Sequence, residues 1–455
     1  MSVKDGSESM KPSRTAREIA ETSANDHLAY LLCRGIKGLV RCDDAEVVQG
    51  IARYVMSQHG SLRRGARLME RAKGTPLPYS MALLGALNRF LEVHGGESMD
   101  GVVWIARLSN ERRAIEKLPQ LLPELGWTRW TFRRRPASSA LSALPSILRG
   151  ARRTFRIARR LHQRMEFFRT LRVVELIGYY TRYLNLFRSG RFSLAVMSSH
   201  SNPHGIAFNL AAKRCGVPVV LITHGMPIRP VARLSYDLAL VHCEAARQTY
   251  MEEGCRMDRV FVHGRRQVYA PMPGGGTLPD RISVGIFLCK DVNEERLRAV
   301  VNRLQQDSRV SQILIRPHPK NLWLGLDAWI ASLNDERVRR TTGNSVFHDL
   351  QASDIVLGGN SSVLVDAVTA GRPSGYVPKL DHGSLDLHSF VARGLIYPVE
   401  DDLSFDPEAM LRFYQRPDWP NALKLFANVD EDETAVLTRV AAAMHDLATA
   451  QSVAG

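Results

Sequence analysis

The chain has 455 residues, with 61 Lys+Arg against 46 Asp+Glu, a formal net charge of +15 at pH 7. An apolar fraction of 45% is that of a globular protein; it excludes long-range disorder and collagen-like repeats, and the length predicts two to three domains. No run approaches the ~18 consecutive apolar residues of a spanning helix, and the six cysteines form no C-x-x-C pair, which excludes a zinc ribbon or a dithiol redox motif.

Residues 1–97 read as a disordered start followed by a helical appendage. Met1 to Lys11 is polar and lacks the apolar core of a secretory signal, so a reducing, cytoplasmic setting is expected. Residues 1–25 are rich in Ser, Lys, Glu and Thr. From Asp26 to Leu91 apolar residues recur at three and four, as in Leu28, Leu31, Leu32 and Ile36, the spacing of a helix face.

Over 98–276 the texture changes to short apolar runs alternating with helical ones. Val102–Ile105 is followed by a turn at Ser109-Asn110 and a helical run from Glu111 to Leu125. Leu194–Met197 is followed by a helix over Gly205–Cys215, and further strands are expected at Pro218–Ile222 and Leu238–Val241. The Pro271–Gly276 cluster reads as a linker. Over 277–455 a second series follows, with strands at Ile282–Leu288, Gln312–Arg316, Asp354–Leu357 and Gly375–Val377. Helices fit at Asn293–Gln306 and Ser362–Ala370, and the last ~50 residues are helical and locally acidic. The fold class is therefore α/β: two doubly wound domains in tandem, with ligands expected beyond the carboxyl ends of the strands and a cleft between the domains.

Three strand ends carry chemistry. In Ile315-Arg316-Pro317-His318-Pro319-Lys320 two prolines fix φ and stiffen the turn, so that His318 and Arg316 can stand beside a phosphate; the plain alternative is a histidine that merely finishes a strand. In the segment from Asp354 to Asp366, Gly358 and Gly359 permit close backbone approach. Asn360 or Ser361 caps the next helix, and its free N–H groups with the Ser361 and Ser362 hydroxyls form an anion site. Asp366 is placed to reach a sugar or ribose hydroxyl, or is simply solvated. In Val219–Pro227, His224 is a general base, a phosphate donor or a buried histidine bonded to backbone, and all three readings stay open. The run from Ser198 to Gly205, with His200, Asn202 and His204, suits an acceptor pocket. Glu252-Glu253-Gly254 reads as a helix end with Gly254 as its C-cap.

His318-Pro319 followed about forty residues later by Ser361-Ser362 resembles the paired HP and S/T-S motifs of bacterial sialyltransferases, polysialyltransferases and capsular Kdo transferases. Thr223-His224-Gly225-Met226-Pro227 resembles the W-H-G-T-P segment of CDP-glycerol glycerophosphotransferases, with Thr223 and Met226 departing from that pattern. The resemblance covers roughly residues 100–420 and implies the GT-B fold. It implies further that His318 and the serine pair contact donor phosphates and that His224 is catalytic. The donor it implies is a nucleotide-activated one, CMP- or CDP-linked, used as substrate, with no cofactor. The D/E-D/E-G base motif of the sialyltransferases has Glu252-Glu253-Gly254 as its match here, which the helix-end reading makes structural.

The basic run Arg149 to Arg172 holds nine arginines against Glu166, with phenylalanines and leucines interleaved, and Trp127, Trp130, Phe132 and Arg133–Arg135 lie upstream. It is open to three readings: an anionic membrane surface, RNA, or a solvated helix face. No nucleic-acid motif accompanies it, so nucleic acid is the least favoured partner.

The expectation is a transferase moving a sugar or polyol phosphate from a cytidine-type donor to a surface polysaccharide or lipid-linked acceptor, peripheral at the inner face of the cell membrane. Arg316, His318, Gly359, Asn360, Ser361 and Ser362 would hold the phosphates. No metal is expected, because protein cations and helix-start N–H groups can neutralise the leaving nucleotide. The alternatives are a UDP-sugar transferase, a non-hydrolysing UDP-sugar epimerase, or a non-catalytic basic scaffold for membrane or RNA.

Overall fold

The computed structural model describes residues 92–94, 100–106, 108–134, 167–200, 202–227, 231–264, 278–319, 323–341, 345–383, 385–428 and 430–454. The expected disordered start and appendage up to residue 91, the 271–276 linker and the basic run as far as residue 166 lie outside these residues.

The first series runs β1 (Glu92–His94), β2 (Asp100–Ile105), α1 (Ser109–Ile115), α2 (Leu118–Leu121), a 3-10 turn, β3 (Trp127–Arg129), β4 (Phe132–Arg134) and the long α3 (Phe167–Ser189). It continues with β5 (Arg191–Met197), α4 (Pro203–Arg214), β6 (Val219–Ile222), β7 (Ser235–Val241), α5 (Glu244–Glu252) and β8 (Arg256–Val262). The second series is β9 (Ile282–Phe287), α6 (Glu294–Gln305), β10 (Val310–Arg316), α7 (Leu326–Ser332), β11 (Val338–Arg340), α8 (Val346–Gln351), β12 (Ile355–Gly358), α9 (Val363–Thr369), β13 (Ser374–Tyr376) and β14 (Tyr397–Pro398). Helices α10 (Pro407–Tyr414), α11 (Trp419–Phe426) and α12 (Glu433–Ala454) close the described chain.

Twelve of the strands form two six-stranded parallel sheets, ordered β3-β2-β5-β6-β7-β8 and β11-β10-β9-β12-β13-β14, and β1 pairs antiparallel with β4. The chain thus forms the two doubly wound α/β series expected from its sequence. Strands such as Val219–Ile222 and Ile355–Gly358 are buried along their whole length, as parallel strands covered on both faces must be. The helix expected over Glu111–Leu125 arrives in three short pieces. Pro119 and Pro123 each sit in the first turn of a new piece, where a missing N–H costs nothing, and each breaks the piece before it.

Strand order reverses between β2 and β5 in the first sheet and between β9 and β12 in the second. At such switch points the loops leave in opposite directions and open a crevice at the carboxyl ends.

The last helix corrects the expected boundary. Val436, Leu437, Val440 and Met444 of α12 are buried against Val102, Trp104, Val196, Val220 and Leu240 of the first sheet. The span 277–455 is therefore not a single domain, because its final helix completes the core of the first. The domains also meet at α5: Cys243, Ala245 and Ala246 are buried within the second core, and Met226 packs against it. Arg393 donates to Gln248 at 2.8 Å and pairs with Glu252 at 3.5 Å. Among the described residues no helix is long and apolar enough to cross a membrane.

Candidate functional site

In the first sheet the segments after β2, β5 and β6 leave the carboxyl ends of neighbouring strands. Glu111 lies in the first turn of α1 and is buried, its carboxylate accepting the Leu108 N–H at 3.0 Å. Ser198 comes directly after β5 and is fully buried. Its hydroxyl lies 3.0 Å from Nδ1 of His224, which stands just beyond β6 and is half-buried. Burial lowers the His224 pKa, while the Glu111 charge and a hydrogen bond to the Ser198 backbone push it back up. The net direction is down, so the ring is neutral at pH 7, the state a proton acceptor requires. Two residues on, the Met226 sulfur lies 3.1 Å from Sγ of Cys243, the residue before α5 that is buried within the second core. A Cβ at the neighbouring Gly225 would meet nothing within 4 Å.

The residues expected to form the acceptor pocket are tied into the fold. His200 and His204 are both buried; His200 Nδ1 bonds the Tyr250 hydroxyl at 2.7 Å, and His204 Nε2 bonds the Tyr183 hydroxyl at 2.7 Å. Asn202 caps α4, its side-chain oxygen accepting the Gly205 N–H at 2.8 Å. These three residues hold the segment after β5 through internal hydrogen bonds. Burial, with His224 adding to it, drives the His200 pKa down to about 3. Glu252-Glu253-Gly254 closes α5 as a helix end: Gly254 has φ +84° and Glu253 accepts the Val231 N–H at 3.2 Å.

In the second sheet the sequence candidates divide. His318 is exposed on the turn after β10. Ser362 is exposed and stands at the N-cap of α9, and Ser361 is half-buried. Asp366 is exposed one turn along α9. The remaining donor-phosphate assignments meet internal partners. Arg316 is ion-paired with the buried Asp349 and donates to the Ser345 carbonyl at 3.3 Å, so its charge is spent on the α8 side of the strand end. The Asn360 side chain donates to Asp381 at 3.0 Å and accepts the Leu387 N–H at 2.7 Å. A Cβ on Gly359 would collide with the Asp381 carboxylate. The close approach that the Gly-Gly pair permits is thus to Asp381, which also accepts the Asn360 backbone N–H at 2.8 Å. The anion this backbone holds is the Asp381 carboxylate of the protein itself.

The loop after β13 carries no motif in the sequence, yet it is closely tied. Asp381 accepts the Gly383 N–H at 2.9 Å, the Tyr376 hydroxyl accepts the Asp386 N–H at 2.7 Å, and Asp386 accepts from Val391 and Ala392. Lys379, Asp386 and Ser389 take positive φ within this stretch, a conformation that non-glycine residues adopt only when their surroundings enforce it. Cys289, at the end of β9, has its thiol pushed up to about 12 by burial and by Asp381. Glu111 carries no site role in the sequence reading, and Ser198 enters it only as the start of the acceptor run. Their signal is position: each lies just beyond an apolar strand that flanks the switch point.

Among the described residues no cluster of His, Cys, Asp or Glu is arranged to hold a metal. The run with D-x-D spacing, Asp430-Glu431-Asp432, is spent structurally. Asp432 accepts from Thr434 and Ala435 at the start of α12, Glu431 pairs with Arg439, and Asp430 pairs with Lys424.

No family model and no curated protein matches this chain. Among solved structures it is similar to the calicheamicin glycosyltransferase CalG4, at 13% identity over 76% of this chain and 98% of that one, with a TM-score of 0.45. It is similar to a UDP-GlcNAc 2-epimerase from Neisseria meningitidis bound to UDP-GlcNAc, at 12% identity over 76% and 98%, with a TM-score of 0.41. It is also similar to MurG of Acinetobacter baumannii, at 11% identity over 76% and 99%, with a TM-score of 0.41. At these identities no site residue is carried over from them.

Proposed function

We propose that the protein is a transferase that moves a sugar or polyol phosphate from a nucleotide-activated donor to a hydroxyl acceptor, with His224 as the base. The observation that carries this reading is a half-buried, neutral imidazole at a strand end of the first sheet, in contact at Nδ1 with a buried serine, on a loop whose Met226 packs on Cys243 of the second core. The acceptor hydroxyl gives its proton to the imidazole as its oxygen attacks the anomeric carbon or the phosphorus, and the bond to the nucleotide phosphate breaks. The charge left on the nucleotide is met by His318, Ser361 and Ser362, donors on the second sheet's strand ends, an electrostatic stabilisation that grows towards the transition state. A cytidine donor and a surface-glycan or lipid-linked acceptor are favoured by the motif resemblance of the His224, His318 and Ser361-Ser362 segments. Attachment to the inner face of the cell membrane through Arg149–Arg172 belongs to the same proposal.

Calorimetric titration of the full chain with CMP, CDP and UDP tests the reading. Binding of a cytidine nucleotide, lost in His318→Ala, supports it. UDP binding, with epimer formed from a UDP-sugar alone, replaces it with the epimerase. Binding of none of the three, with salt-sensitive RNA or liposome binding, replaces it with the scaffold.

A further inference from the structure

Strand order brings three side chains to one end of the first sheet. Glu111 lies beyond β2, Ser198 beyond β5 and His224 beyond β6, and these strands are consecutive neighbours. Glu111 is only 2% exposed and Ser198 is 0% exposed. A carboxylate and a hydroxyl buried at a strand end, where water could have solvated them, are costly unless they have partners. The Ser198 hydroxyl has His224 Nδ1 at 3.0 Å. A hydroxyl oxygen can accept from an Nδ1–H as well as donate to a bare Nδ1, and the Ser198 backbone acts on the ring in the sense that favours its protonated form. A nitrogen that donates carries the proton, and the other nitrogen of a neutral imidazole then carries the lone pair. Glu111 acts on the same ring through its charge, favouring the imidazolium against burial. The other titratable neighbour acting on it is His200, which is buried and neutral at working pH and contributes no charge there.

We propose that Glu111 and Ser198 are positioning residues for His224: Ser198 holds the ring with Nδ1 protonated, leaving Nε2 as the accepting atom, and Glu111 supplies the negative charge that stabilises the ring once it has taken the proton. This rests on the base role given to His224 above. Without Ser198 the neutral ring is free to place its proton on Nε2, the tautomer that cannot accept there. Without the Glu111 charge the ring is a weaker base, so its rate contribution falls and its titration moves to lower pH.

The test uses the full chain with 15N-labelled histidine and no substrate, so that it reads the ring and not the reaction. The wild-type neutral ring is expected as the Nδ1–H tautomer. Ser198→Ala shifts it towards Nε2–H. Glu111→Gln, which keeps the oxygen that accepts from Leu108, titrates His224 at lower pH, and Glu111→Asp stays near wild type. In the pH–rate profile Glu111→Gln lowers kcat about tenfold or more with donor KM unchanged, and its acidic limb moves to lower pH, which a loosened fold would not produce. A wild-type Nε2–H tautomer, or a His224 titration unmoved in Glu111→Gln, overturns the inference. A titration that moves as expected while turnover does not upholds the positioning and overturns the base role instead. Should Glu111→Gln not fold, Glu111→Asn removes the same charge, and a His224 titration unmoved in that variant likewise overturns the inference.

Discussion

At the scale of single residues, histidines of identical chemistry have opposite fates here. His224 is half-buried at a strand end, and His224→Asn keeps its size and polarity while removing basicity. Turnover is expected to fall roughly 10²–10⁴-fold, the usual share of a positioned base, with nucleotide affinity nearly intact; affinity lost together with turnover would make the ring a phosphate ligand. In the wild type, activity falls on the acidic side as the ring protonates. His200 is instead a stability element. Its folded pKa, about 3, lies below its ordinary value of 6.5, so below about pH 6.5 the unfolded chain binds the proton that the folded chain refuses. Stability is therefore full above that pH and is lost as pH falls towards 3, by up to about 5 kcal/mol from this group. His200→Gln should flatten the acid arm of the stability–pH curve in denaturant melts, and an unchanged arm refutes the assignment.

At the scale of elements, the loop after β13 is built around one carboxylate. Asp381 accepts from the Asn360 backbone, the Asn360 side chain and Gly383. Asp381→Ala leaves these donors without their acceptor and opens space beside Gly359, so a loss of about 2–3 kcal/mol is expected, read as a lowered Tm. Full stability in that variant would mean that the loop is held elsewhere. Helix α12 gives a second case. Met444 is 0% exposed and lies in the core of the first sheet, so Met444→Ala should cost about 2–5 kcal/mol. Because α12 comes after the second domain in sequence, proteolysis of this variant is expected to begin at the crossover around residues 427–432, leaving the second sheet protected.

At the scale of the whole molecule, the charge of +15 is the dominant feature. If the basic run is the membrane contact, the full chain floats with vesicles of anionic lipid at low salt and is released as ionic strength rises towards 0.15 M, where the Debye length is about 8 Å. Equal binding to neutral vesicles, or none to anionic ones, removes that role. The two sheets share more than a cleft, since α12 belongs by burial to one domain and by sequence to the other, and Arg393 reaches across to α5. The His224 loop packs on Cys243 of the second core through Met226.

The two β/α series are legible in the amino-acid order alone, because fully buried parallel strands read as unbroken apolar runs and the helices between them carry a face period. So are the strand-end positions of His224, His318 and Ser361-Ser362, and the Gly254 helix end. Which residues become neighbours is not. Strand order brings Glu111 to His224 across more than a hundred residues, turns the glycine pair towards Asp381, spends Arg316 on Asp349 and ties His200 and His204 into internal hydrogen bonds. Polar side chains of one type read alike along the chain; only the fold decides which are satisfied internally and which are left facing solvent, and that difference separates a fastener from a site.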